Sequence, residues 1–135
     1  MADGSYRCKT KPIYGRRYSD VAPVARKLFH KIENRTKRKP YLRSMYFGKE
    51  KIFLTQFWQH LEKKNFGDRK RRLKFYPCAL ELIQFSTIEP TSRKESGDNL
   101  YRFAGNSPND ELFYVQVRED SRSKEKHFIS VFPPD

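Results

Sequence analysis

From Lys51 to Phe85 the chain reads KIFLTQFWQHLEKKNFGDRKRRLKFYPCALELIQF, a run too apolar at both ends to stay on a surface and too basic in its middle to be buried. Lys51-Ile52-Phe53-Leu54 suits a short strand. Thr55 then suits the N-cap of a helix, its hydroxyl accepting an orphan backbone N–H. Over Gln56–Lys64, Phe57, Trp58 and Leu61 form an apolar stripe with His60 at its edge. Asn65-Phe66-Gly67 reads as a break, after which Asp68 caps a second helix that opens on Arg69-Lys70-Arg71-Arg72 and turns apolar through Leu73, Tyr76, Leu80 and Ile83. Cations at a helix start oppose its dipole. That cost points to charges that serve a partner.

The charge is unevenly distributed as well. Of the net +13, residues 1–75 carry +16 and residues 76–135 carry −3. Such asymmetry points to a polyanion held mainly by the first half, with RNA first and DNA second. The 135 residues suffice for one domain with a real core. Cys8 and Cys78 stand far apart with no zinc-ligand spacing, which fits free thiols in a reducing cytoplasm. The N-terminus lacks the apolar segment of a signal peptide, and no stretch approaches the ~20 apolar residues of a membrane span.

Taken in order, residues 1–18 are basic and aperiodic and read as a mobile or loosely docked arm, leaving 19–135 as a single domain. Ser19 or Asp20 caps a helix whose Val21, Val24, Leu28 and Ile32 share a face, with His30 on the surface. Tyr41–Phe47 alternates as a strand and turns back through Gly48-Lys49 into Lys51–Leu54. Ser86–Asn99 reads as a long exposed connection. Three strands follow, at Leu100–Ala104, Leu112–Arg118 and Lys126–Phe132, and Pro133-Pro134 ends pairing. The fold expected is α+β, with N-terminal helices packed on a C-terminal antiparallel sheet.

No P-loop, GxGxxG, HExxH or GxSxG is present, and the carboxylates are too scattered for a two-metal site, so neither metal nor cofactor is expected. What remains is histidines, Lys and Arg, and strand hydroxyls. These suit metal-free RNA cleavage, which needs a base for the 2′-OH, cations for the phosphorane and an acid for the leaving oxygen. They equally suit plain RNA binding, with Tyr41, Tyr46 or Trp58 stacking on bases unless, like Tyr76, Trp58 belongs to the core. Arg102, a charge among apolar strand neighbours, could hold a phosphate or a structural carboxylate. Lys74 is the other candidate for stabilising developing charge. The phosphate-binding set is Arg43, Lys63, Lys64, Arg69, Lys70, Arg71 and Arg72. Ser130 lies between Phe128 and Phe132 on one strand face, and His127 starts the same strand at the surface.

Leu54-Thr55…His60 and the last strand's Ser130-Val131-Phe132-Pro133 resemble the barnase/EndoU/colicin/RelE-like group of small ribonucleases, in particular its phage- and plasmid-type members. The likeness spans residues 51–133. It implies a cleft lined by the early-helix His60 and the last-strand Ser130. Many members carry a second His soon after the first, where Lys63-Lys64-Asn65 stands here. The resulting expectation is a metal-independent endoribonuclease with catalytic His60, Lys74, Arg102 and Ser130. As a toxin it would be masked by an acidic antitoxin or immunity protein. The alternatives are a non-catalytic nucleic-acid-binding protein and a basic accessory subunit of a nucleoprotein complex.

Overall fold

The computed structural model describes residues 4–134, along which the elements are β1 (Ser5–Arg7), α1 (Tyr18–Arg35), β2 (Tyr41–Ser44), β3 (Glu50–Phe53), α2 (Thr55–Leu61), α3 (Phe66–Leu73), α4 (Tyr76–Phe85), β4 (Thr91–Glu95), β5 (Asp98–Asn106), β6 (Leu112–Glu119) and β7 (Lys126–Phe132). The architecture is α+β. All seven strands join one sheet in the order β1-β5-β6-β7-β3-β2, with β4 pairing to the same edge of β5 as β1. β1–β5 and β3–β7 are parallel pairs and the others antiparallel, and the mixed sheet curls into a half-barrel. This corrects the expected antiparallel C-terminal sheet. The three C-terminal strands leave two open edges: β1 and β4 together cover that of β5, and β3 covers the start of that of β7.

Alternation places the core. Phe113, Val115 and Val117 of β6 are buried on the helix-covered face, together with Phe103, Phe128 and Val131 of its neighbours. Phe57 of α2 stacks on Phe128 with ring centres 4.7 Å apart, and Trp58 and Leu61 complete the expected stripe. In α1 the buried set is Val21, Ala22, Ala25, Phe29 and Ile32, while Val24 is exposed. The face is thus rotated from the one expected, because two alanines permit close approach and Phe29 fills the space beyond. Asp20 does not cap by position: its carboxylate reaches back to the Arg17 N–H at 3.0 Å.

The Asp68–Ile83 helix is in fact two helices. Asn65, not Asp68, is the N-cap of α3, accepting the Asp68 N–H at 2.8 Å, and the helix ends at Leu73. Lys70, Arg71 and Arg72 therefore occupy its last turn, where the dipole favours cations. The electrostatic cost read from the sequence does not exist, and the dipole gives these cations no reason to need a partner. The hairpin of β2 and β3 forms, with Gly48 and Lys49 both at positive φ, but its first strand ends at Ser44 rather than Phe47 and residues 45–49 make the turn. Ser86–Asn99 is less open than expected, since it contains β4 and a Ser96-Gly97 turn whose two positive φ angles fold it onto β5. All five β4 side chains are exposed, so no burial pattern marked the strand.

Residues 5–10, assigned to an arm, lie against the domain. β1 pairs with Ala104–Asn106, Cys8 is buried, and Cys78 donates its thiol hydrogen to the Thr10 carbonyl. Glu81 of α4 anchors the segment, accepting from the Tyr6 hydroxyl at 2.7 Å and from the Lys9 and Thr10 N–H groups. Burial alone would raise its pKa, but hydrogen bonds from Thr10, Tyr6 and Lys9 hold the carboxyl below the usual glutamate range. A depressed carboxylate stabilises above its unfolded pKa, roughly 4.3, and that contribution fades as pH falls through the folded value. Glu81→Ala is expected to cost about 1–3 kcal/mol at pH 7. In thermal melts the gap from wild type should narrow in acid, and a gap independent of pH would show that the ionised carboxylate is not the anchor.

Candidate functional site

The helices cover one sheet face and leave the centre of the other open. Cross-strand register aligns Thr91 of β4, Arg102 of β5, Gln116 of β6 and Ser130 of β7 in one row. In the neighbouring rows of the same face stand Tyr114 beside Phe132, and Leu100 and Arg118 beside His127. Ser130 reaches this face through a β-bulge. Val117 pairs with Phe128 but Gln116 pairs with Ser130, so Ile129 is the extra residue. The bulge flips the alternation, turning Phe128 and Val131 inward and Ser130 and Phe132 outward. Ser130 thus does not share a face with Phe128, contrary to the strict period of two.

Two guanidiniums frame the row. β3 pairs with β7 only as far as His127, so the rest of that edge is left to α2 and α3. From α3, Arg72 reaches round it and donates to the Ser130 hydroxyl at 2.7 Å while Asp68 holds its Nε at 3.2 Å. Arg102 rises from the sheet itself. Both guanidinium carbons lie 5.4 Å from the Phe132 ring centre, and Arg102 also lies 5.6 Å from that of Tyr114. Among the described residues no carboxylate pairs with Arg102. Arg118 on the same face is different, bound by Asp98 at 2.9 Å and Glu95 at 2.7 Å. An arginine held by aromatic rings and left without a counter-ion suits a ligand phosphate.

His60, in the last turn of α2, lines a narrow crevice with Phe57, Lys64, Arg72, Ile129 and Ser130. Burial lowers its pKa, and the charges of Lys63, Arg118 and Lys64 lower it further. The imidazole is therefore neutral at pH 7 and able to accept a proton. A second depression, of about 120 Å³, lies across the row between Arg102, Gln116 and the start of β4. The His127 ring packs 5.5 Å from Phe53 with Glu125 beside it, and burial lowers its pKa.

The sequence-predicted set divides. Arg102 and Ser130 share the open face, and His60 lines the crevice beside Ser130 and Arg72 at its edge. Lys74 does not: its ammonium pairs with Glu111 and lies over the Tyr14 ring, outside the row. Arg43 sits on the outer β2–β3 hairpin, its Nη1 donating to the Lys49 carbonyl. Arg69 is structural, donating to the Glu62 and Lys64 carbonyls and lying over Phe66. Arg71 and Arg72 share Asp68, while Lys63 and Lys64 are exposed beside His60 and Lys70 lines a separate cavity with Tyr14. Gln116, Phe132 and Tyr114 were missed as site residues. The alternation of β6 put Gln116 opposite the core, but only strand register shows that it neighbours Arg102 and Ser130.

Among the described residues no group of His, Cys, Asp or Glu is placed to hold a metal ion, and no helix is long and apolar enough to cross a membrane. Comparison with protein families, curated proteins and solved structures returns no match.

Proposed function

We propose that the open sheet face binds single-stranded RNA and cleaves it without a metal, in the manner of the barnase/colicin/RelE-like ribonucleases that the sequence resembles. The observation that carries this reading is Arg102, a guanidinium with no counter-ion among the described residues, in the same row as the Ser130 hydroxyl that Arg72 holds. In the proposed reaction His60 takes the 2′-OH proton. The 2′ oxygen bonds to phosphorus, the P–O5′ bond breaks, and a 2′,3′-cyclic phosphate and a 5′-OH result. Arg102 and Arg72 offset the phosphorane charge, and Ser130 positions the non-bridging oxygen. With Lys63-Lys64-Asn65 where a second His could stand, water protonates the leaving oxygen. If the protein is a toxin, an acidic antitoxin or immunity protein would neutralise it by covering this basic face.

Incubating purified protein with RNA, with and without EDTA, and reading the products on a gel tests the reading. Cutting in both lanes is expected. Binding without cutting would favour the nucleic-acid-binding alternative, and neither would favour an accessory subunit. Affinity should also carry a salt signature. Arg69, Arg71 and Arg72 hold structural contacts, so Lys63, Lys64 and Lys70 are the informative probes. Changing those three to Ala should reduce the slope of log affinity against log salt by about 2, at roughly 0.7 for each phosphate no longer neutralised. An unchanged slope would place the RNA elsewhere.

A further inference from the structure

We infer that the depression between β4 and the Arg102–Gln116 pair is a nucleobase subsite, which holds the unstacked base of the nucleotide beside the scissile phosphate. The inference rests on the RNA reading above and adds what the site selects. The depression is lined by Thr91, Ser92, Arg93, Leu100, Arg102 and Gln116. Leu100 is buried on the open face and gives an apolar floor, while the fully exposed β4 forms the outer wall. At about 120 Å³ it admits one heterocycle and no duplex.

Gln116 makes it selective. Its half-buried carboxamide has no hydrogen-bond partner among the described residues, although the backbone register sets it between Arg102 and Ser130. A primary amide presents a donor and an acceptor side by side, the pattern that matches the edge of an unpaired base. The Arg102 guanidinium plane can stack on the same base. One strand spacing, ~4.8 Å, separates Gln116 from Ser130, so a base held here leaves its phosphate over the hydroxyl. The exposed β4 wall is also what confines the site to single strands, since a stacked, paired base cannot enter a depression of this size with its Watson–Crick edge free.

The test compares short single-stranded RNAs that carry either a base or an abasic residue next to the cut bond, using wild type and Gln116→Leu. The substitution keeps the shape and removes no hydrogen bond within the protein, so the variant should fold with an unchanged circular dichroism spectrum. Wild type should favour the base-bearing strand by about 5- to 150-fold in kcat/KM, the range of one bidentate base contact. Gln116→Leu should lose most of that ratio, through slower cleavage of the base-bearing strand. The same ratio is read as affinity for strands bearing a 2′-deoxy sugar at that nucleotide, which cannot be cut. A protein that binds these strands with base preference but cuts none overturns the nuclease reading and supports the subsite. Cutting with no base preference, or an equal preference in Gln116→Leu, overturns the subsite and leaves the nuclease reading intact. Neither binding nor cutting overturns both.

Discussion

His60→Ala is expected to lower RNA cleavage by about 10²–10⁴-fold, the usual contribution of a positioned general base, and to leave RNA affinity within a few-fold. The asymmetry follows from timing. A neutral imidazole adds little to holding a phosphate and matters only as the 2′-OH proton moves, so its loss appears in kcat rather than in binding. The pH profile carries a second signature. Burial, with Lys63, Arg118 and Lys64 nearby, holds the His60 pKa below 6.5. Protonation disables a base, so kcat/KM should fall as pH drops through that lowered value and stay level from there to neutral pH. Protonated His60 is also disfavoured in the folded state relative to the unfolded chain. Its share of stability is therefore present above the unfolded pKa and lost as pH falls below it. In His60→Ala the acidic limb should vanish along with most of the rate. A variant that cleaves as fast as wild type, or keeps the same limb, would assign the base to another group.

How much of this could be read from the sequence depended on whether a feature is local. The Phe57–Leu61 stripe and the bounds of β7 were legible because burial on one face repeats at the helical or strand period. The hairpin around Gly48 was legible because a turn is chemistry confined to a few residues. Two things were not local, and one local signal was passed over. β1 pairs with a strand about 99 residues away, and only the edge of β5 explains it. The break between α3 and α4 falls just before Pro77, which sits in the first turn of α4 and cannot continue a helix through it. The Ile129 bulge adds one residue to a strand, which no alternation rule anticipates, and yet it decides which face Ser130 joins. His60, Arg102 and Ser130 stood out in the sequence as chemical types. The pairing of Arg102 with Ser130 on one face, the crevice that sets His60 beside Ser130, and the separation of Lys74 from both required the fold.

Arg102→Ala separates function from stability most sharply. Removing a guanidinium that stabilises the phosphorane should lower cleavage by about 10²–10³-fold, as loss of one transition-state donor does elsewhere. The fold should barely notice. Among the described residues Arg102 has no carboxylate to orphan, and its contacts with Phe132 and Tyr114 are worth about 0.5–1 kcal/mol each. Relieving an uncompensated charge in a chain of net +13 works the other way, so the melting temperature should stay near that of wild type or rise. Arg118→Ala on the same face is the internal control. It removes an ion pair from Asp98, which keeps the Ser121 N–H, and from Glu95, which keeps Arg93, and should destabilise the protein while leaving cleavage within a few-fold. Arg102→Lys adds a further check, because it keeps the charge but loses the planar fork that holds two phosphate oxygens at once. It should recover affinity but only part of the rate. If Arg102→Ala melts well below wild type and cleaves normally, the residue is structural after all, and the open face has lost its main claim to a phosphate.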